Sequence, residues 1–383
     1  MKSKLLIFLL AVACAFCLAF SFAACKDDDT PKNDTEQGDN THDSEKNIPE
    51  TNGLEFELND DGASYSVTGV GSVKAKIIKI PAVYSNKPVT SIGEAAFWGC
   101  ESLERVIIPD GVTTIGEHAF LRCTSLTTIS IPDSVTTILT NAFNLTAYYN
   151  DISNWDNGVL YISNHLIKAK TDISDSYSIK EGTRTIAYAA LEDCGKLTSL
   201  TIPNSVTTIG EQAFEDCKSL SSVTFDENSQ LTSIGYCAFN GCKSLLKIAL
   251  PNSVTTIGER VFEGCTSLVD ITLPDGITSI GNYAFELCTS LKNIVIPDGV
   301  TYIGMWAFGS CEGLESITLP SSIIYIDNYA ITACTSLTRI NYDGTTEQWG
   351  TITTSSKWDS MTAKYTIYCT DGEIAQDGTV TQY

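Results

Sequence analysis

Two histidines of the repetitive part, His118 and His165, are the side chains best suited to proton transfer, because imidazole titrates near neutrality. Neither has a nucleophile or a carboxylate partner at a recognisable spacing, and His118 falls at a variable surface position. Paired acids would serve a glycosidase, but Asp and Glu are scattered over most of the chain and nothing selects a pair. Asp110, Asp133, Asp275 and Asp298 offer the oxygen ligands that calcium takes. Asn204, Asn252 and Ser321 stand at the same place, so turn formation accounts for them. The glycine of each Thr-Ile-Gly is not a phosphate loop: it recurs at a regular interval, where a turn is expected to need a permissive backbone. No Cys/His set has zinc spacing. The sequence therefore assigns no catalytic, cofactor-binding or metal-ligating residue, and the chain is not expected to be an enzyme or to carry a cofactor.

Cysteine leads from chemistry to architecture. Nine of fourteen cysteines, Cys100, Cys123, Cys194, Cys217, Cys242, Cys265, Cys288, Cys311 and Cys334, close successive copies of one motif. Most steps are 23 residues, one is 25, and a gap of 71 separates Cys123 from Cys194. LTSLTIPNSVTTIGEQAFEDC, residues 197–217, is a typical copy. A fixed period in this range predicts a solenoid, in which rungs too small to fold alone share one core. The gap is expected to hide divergent copies. Each rung reads as a strand, LxxIxIP, ended by a proline that cannot donate to a ladder; a second short extended piece, VTxIG; and a tight turn or single helical turn carrying inward Ala, Phe and Cys. The expected fold is a curved, mainly β solenoid with parallel strands. Equal placement in every rung stacks the cysteines in one column. Pairing them two by two would break the register, so buried thiols are favoured over disulfides.

Two surfaces are candidates for binding. The outward column of the first strand reads Ile107, Ser130, Thr201, Thr224, Ala249, Thr272, Val295, Thr318 and Asn341, a flat array of small side chains. The second surface lies near the C-terminal end. Two residues after the Thr-Ile-Gly or Tyr-Ile-Gly glycine, most rungs carry Ala95, His118, Asn141, Gln212, Cys237 or Arg260, which marks the position as exposed. The last three rungs carry Tyr283, Trp306 and Tyr329 there, beside Tyr302, Tyr325 and Met305. Stacking is expected to gather them in one aromatic patch. Such a patch either shields weak terminal rungs or forms a ligand contact for a sugar or protein.

The net charge is −22, and −24 without residues 1–24, which hold Lys2 and Lys4 but no acid. A nucleic-acid partner needs a basic face, and an anionic membrane surface would repel this chain, so neither is expected. Residues 1–24 read as an export signal, basic and then apolar, ending Phe22-Ala23-Ala24 before Cys25. Residues 25–53 read as a disordered acidic tether that holds the third histidine, His42. Residues 54–88 read as an N-terminal β cap built on an Asp-Asp-Gly hairpin, and residues 89–339 as the solenoid with a divergent insertion at 147–176. Residues 340–383 read as a C-terminal cap and tail.

Small residues before Cys25 resemble a bacterial lipobox, with Phe22 where Leu is usual; the resemblance implies cleavage before Cys25 and a lipid on its thiol. IPxxVTxIGxxAFxxCxSLxxI resembles the BspA-like class of bacterial leucine-rich repeats over residues 54–372, including AYYNDISNWDNGVLYISNHLIKAK at 147–170 and the closing segment at 340–372. Membership implies a curved array exposed at the bacterial cell surface, of a kind often credited with adhesion to host or neighbouring-cell proteins. With the leader, the tether and no reactive constellation, the chain is expected to be a lipid-anchored, non-catalytic protein that binds an extracellular or host protein, or a glycan. A glycan-acting enzyme or its accessory subunit, and a structural envelope component, remain as alternatives. Departures are local: Thr146 replaces a Cys, Leu139 and Asp327 a Gly, Leu191 and Ile331 a Phe, and residues 226–230 hold a two-residue lengthening. The rung around Ile331 is expected to be the loosest.

Overall fold

The computed structural model describes residues 48–383, so the leader, Cys25 and most of the tether lie outside the described residues. Among the described residues, no helix is long and apolar enough to cross a membrane.

The chain winds as a solenoid whose rungs are joined by three ladders, two of strands and one of turns. The strand ladders are interrupted at the insertion, and again in the second between the rungs of Phe262 and Phe285 and in the first between those of Phe285 and Phe308. The turn ladder runs on across these two later breaks. The first ladder is made by the LxxIxIP strands. Ser199–Ile202 pairs in parallel with Ser222–Phe225, and Lys247–Ala249 with Asp270–Thr272. Within such a strand the aliphatics point inward and the polar residues outward, so Leu200 and Ile202 are buried while Ser199 and Thr201 are half-buried. The second ladder is made by the short VTxIG strands, for example Thr208–Ile209 beside Ser233–Ile234 and Thr256–Ile257. In most rungs a threonine just before the short strand reinforces it. Its hydroxyl donates to the carbonyl one rung back, as Thr207 does to Arg184 at 3.0 Å.

The third ladder runs through the segment expected as a turn or a helical turn. It is a chain of overlapping turns in which alternate amides serve different partners. In the rung of Phe285, Ala284, Glu286 and Cys288 donate to carbonyls three residues back in their own rung, Gly281, Tyr283 and Phe285. Tyr283, Phe285 and Leu287 donate instead to Met305, Ala307 and Gly309 of the next rung, at 2.8–2.9 Å. The alternation needs left-handed backbone at two places per rung, and Tyr283 (φ 58°) and Leu287 (φ 62°) supply it here.

This geometry corrects the reading of the Thr-Ile-Gly glycine. Gly116, Gly210, Gly235, Gly258 and Gly304 do not have positive φ; the left-handed residue comes two positions later and is usually not glycine. The glycine is needed for close approach. A Cβ at Gly258 would lie 2.5 Å from the carbonyl carbon of Gly235 and the nitrogen of Tyr236, both backbone atoms of the preceding rung.

One apolar core runs the length of the stack. Its axis is a column of phenylalanines. Phe97, Phe120 and Phe143 stack with centroids 4.9 and 5.4 Å apart, and Phe214, Phe239, Phe262, Phe285 and Phe308 at 5.0–5.6 Å. Leu191 interrupts the column and Ile331 ends it. Beside Ile331, against Trp358 and Ile340, lies an apolar void of about 10 Å³, in keeping with a smaller side chain at a Phe position.

Both ends are covered. At the N-terminal end, Glu55–Leu58 and Tyr65–Gly69 form an antiparallel hairpin, and the second strand pairs in parallel with Lys87–Ile92. Ile77–Lys79 already pairs with Arg105–Ile107, so the first ladder starts at residue 77. At the C-terminal end, Thr366–Tyr368 continues the first ladder before two antiparallel strands close it. Tyr342, Trp349, Trp358 and Tyr365 cluster beneath them, with centroids 5.2–6.2 Å apart.

The insertion consists of a helix, Ala147–Asn150, and a hairpin, Val159–Ile162 with His165–Ala169. His165–Ala169 pairs with Thr185–Ile186, so the hairpin supplies a strand to the second ladder. Thr146, where a Cys would stand, begins this departure. Its hydroxyl donates to Phe143 at 2.9 Å and caps the helix by accepting from Tyr149 at 3.0 Å.

Candidate functional site

The cysteine column is a structural ladder. Each thiol from Cys217 onward points back one rung and donates to the carbonyl of the Phe or its replacement there: Cys217 to Leu191, Cys242 to Phe214, Cys265 to Phe239, Cys288 to Phe262, Cys311 to Phe285 and Cys334 to Phe308, at 3.0–3.2 Å. A cysteine fits because it is small, apolar enough for the core and still a weak donor. All eleven cysteines of the described residues are buried and free. Burial holds the thiols of Cys242, Cys288 and Cys311 well above their ordinary range and pushes Cys334 up to about 12. Since the thiolate is the reactive form, alkylation of the native protein without reductant is expected to leave the column unmodified. Denaturant alone should expose most of the nine to the reagent. Cysteines that stay unmodified in denaturant until reductant is added would contradict this assignment.

The histidines are placed differently from one another. His165 is fully buried in the hairpin, with Nε2 3.2 Å from the Pro132 carbonyl and Nδ1 without a partner among the described residues. Desolvation lowers its pKa, so it sits neutral in the core. His118 is not alone, contrary to the expectation from its sequence neighbours. The stack brings Glu94 of the preceding rung beside Glu117 and His118, and their ligand atoms all lie within 4.8 Å of one another. Two exposed carboxylates and a half-buried imidazole are a donor set that a divalent cation accepts. Of the turn acids, Asp133 accepts from Asn164 of the insertion at 2.9 Å.

Four of the five aromatic residues predicted as ligand contacts form two stacks, and Tyr283 packs apart from them. Tyr302 and Tyr325 belong to the second ladder and stack at 5.8 Å. Their hydroxyls engage Asp327 at 2.8 Å and Ser355 at 3.0 Å. Trp306 stacks on Tyr329 at 5.1 Å in the turn ladder. Tyr283 lies under the guanidinium of Arg260 at 4.0 Å, and Tyr329 under the ammonium of Lys357 at 5.8 Å. All five are half-buried. The position two residues after the glycine is thus a left-handed, largely covered site, and of the residues quoted for it only Asn141 is exposed.

On the first ladder the outward column is uneven. Ile107 is only 5% exposed, whereas Val295 is 65% exposed. Thr224, Ala249 and Thr272 are exposed, and Ser130, Thr201, Thr318 and Asn341 are half-buried. The open stretch of this face therefore runs from Thr224 to Val295.

Sequence reasoning missed a cleft of about 280 Å³ where the insertion leaves the array. Phe143 and Asn144 line one wall, and Tyr188, Ala189 and Glu192 the other, with Lys168 between them. Lys168 donates to the Ala189 carbonyl at 2.6 Å and pairs with Glu192 at 3.6 Å. The 71-residue gap between cysteines was its signal.

Several solved structures are similar to this chain. A leucine-rich cell surface protein from Faecalibacterium prausnitzii is 28% identical over 80% of this chain and 97% of its own, with a TM-score of 0.35. A leucine-rich repeat protein from Bacteroides ovatus is 23% identical over 83% and 98%, with a TM-score of 0.35. The pneumococcal vaccine antigen PcpA is 19% identical over 78% and 82%, with a TM-score of 0.29. No curated protein matches the chain. The family model described as the BspA type leucine-rich repeat region matches residues 75–194, 184–288 and 259–356. Those matches take in most of the solenoid, and with its repeated ladders they establish that the chain belongs to the BspA-type leucine-rich repeat family.

Proposed function

We propose that this protein is a non-catalytic binding protein, exported and held at the bacterial cell surface by a lipid on Cys25, that recognises an extracellular or host protein, or a glycan, through its repeat array. One observation carries the reading. The thiols of the repeat and the buried His165 are engaged within the stack, while Thr224, Ala249, Thr272 and Val295 leave small side chains open on successive rungs. Small, mostly β-branched side chains on a stacked array suit a partner that lies across several rungs. Membership of the BspA-type family supports the same reading.

Immobilised protein is expected to retain a ligand from a panel of host matrix proteins, mucin and neighbouring cells. Replacing Tyr283, Trp306 and Tyr329 together by Ser should leave that affinity unchanged if the open strand face is the site. Lost affinity with normal melting would move the site to the aromatic stacks. Turnover of a polysaccharide or peptide by the purified protein, abolished by a point substitution, would overturn the non-catalytic reading.

The anchor follows from the lipobox resemblance at Phe22-Ala23-Ala24-Cys25. Cys25→Ser is expected to release the protein from the membrane fraction or to stall its processing. A Cys25→Ser protein that is cleaved and membrane-bound as before would remove the anchor from this account.

A further inference from the structure

Every rung of the third ladder passes three amides to the next, with one exception. Ala95, Phe97 and Gly99 donate to Glu117, Ala119 and Leu121, and His118, Phe120 and Arg122 to Thr140, Ala142 and Asn144. The next triad, Asn141, Phe143 and Leu145, donates to nothing among the described residues. Beyond the insertion the pattern resumes with Ala189, Leu191 and Asp193 donating to Glu211, Ala213 and Glu215. The register assigns the missing acceptors to Tyr188, Ala190 and Glu192. Of these carbonyls only that of Ala190 is engaged, by the Ala169 amide at 2.6 Å, and among the described residues the carbonyls of Tyr188 and Glu192 accept no backbone hydrogen bond. The insertion thus supplies a strand to the second ladder and only one amide, that of Ala169, to the third. The space left over is the 280 Å³ cleft.

We propose that this cleft binds a short extended peptide segment of a partner protein, whose main chain takes the place of the missing turn segment. Peptide carbonyls at alternate residues accept from Asn141, Phe143 and Leu145, and peptide amides donate to Tyr188 and Glu192. This is strand addition applied to a ladder of turns. Open backbone donors and acceptors on facing walls call for a ligand that carries both, as a peptide main chain does. A free anion fits worse. Lys168 is already matched by Glu192 and the Ala189 carbonyl, the open carbonyls of Tyr188 and Glu192 would face the anion, and the chain carries a charge of −22. The apolar lining by Ile138, Leu139 and Ile167 suits a peptide with an uncharged side chain directed inward. The proposal rests on the binding function above and gives it a site and a ligand class.

The test uses the purified full chain and a library of displayed dodecapeptides, with amide exchange read residue by residue. Selected peptides are expected to slow exchange at Asn141, Phe143 and Leu145 by at least about tenfold, as new hydrogen bonds protect amides. Asn144→Trp, which plugs the cleft, should weaken them by at least about tenfold, while Asn240→Trp at the equivalent place in a regular rung should not. N-methylating the peptide at alternate residues should also abolish binding. Peptides that bind but protect only the strand face would overturn this site and leave the proposed function standing. Inorganic phosphate or sulfate protecting the three amides where no peptide does would overturn the peptide class. A library with no binder, from a protein that still retains a matrix protein or mucin, would overturn the site alone; loss of both would overturn the function as well.

Discussion

Phe262→Ala is expected to destabilise the protein by about 3–5 kcal/mol, the range for truncating a fully buried Phe. Phe262 is 0% exposed, and its ring stacks on Phe239 at 5.4 Å and on Phe285 at 5.6 Å. Its loss therefore opens a cavity that two rungs share, and neither can close it without breaking its own ladders. Phe262→Leu should cost clearly less, because Leu191 fills the same place in a rung that keeps its ladder bonds. Denaturant melts at unchanged slope measure both. A loss below about 1 kcal/mol for the Ala variant would show that the column is not the core axis.

Gly258→Ala should be costly for the opposite reason. Its new methyl would sit 2.5 Å from backbone atoms of the preceding rung, and backbone cannot yield as a flexible side chain does. Rungs would have to separate, and a loss of about 1–3 kcal/mol or more is expected from overpacking of this kind. Gly264→Ser is the control. Gly264 has φ +70° but no close backbone neighbour, and Ser310 occupies the same left-handed position in another rung. If the glycines served conformational freedom, Gly264→Ser would be the worse change; close approach makes Gly258→Ala the worse. Equal melting temperatures for Gly258→Ala and the parent protein would contradict the close-approach account. Leu139 and Asp327 occupy the glycine position in the two rungs where the regular array stops, and their amides still donate to Ile115 and Ile303 of the preceding rung at 3.0 and 2.9 Å.

The 23-residue interval made much of this legible. A repeated interval converts positions in sequence into columns in space, so the inward Phe, the Cys column and the outward Thr column follow from the repeat alone. What did not follow were features set by backbone handedness. Arg260, Tyr283 and Trp306 give no sign in their side chains that they stand in left-handed conformation, since the position takes almost any residue. Charged and polar side chains there suggested exposure, yet the turn ladder covers most of them. The neighbours of His118 follow from the interval, because Glu94 and Glu117 are one interval apart, whereas along the chain only Glu117 adjoins the histidine. The insertion was visible as a gap. Which ladder it skips was not, because a hairpin strand that pairs with Thr185–Ile186 looks in sequence like any other strand.

The central claim is that repeated rungs are joined by backbone ladders, one of them carried by alternate amides of the turns and running on across the rungs of Phe262, Phe285 and Phe308, where the strand ladders are interrupted. Residue-resolved amide exchange of the unliganded protein tests it most directly. The amides of Phe120, Phe214, Phe239, Phe262, Phe285 and Phe308 should be strongly protected, and that of Phe143 should exchange at least about tenfold faster, although its ring is just as buried. Uniformly fast exchange along the Phe column, or equal protection at Phe143, would contradict the ladder and its single break.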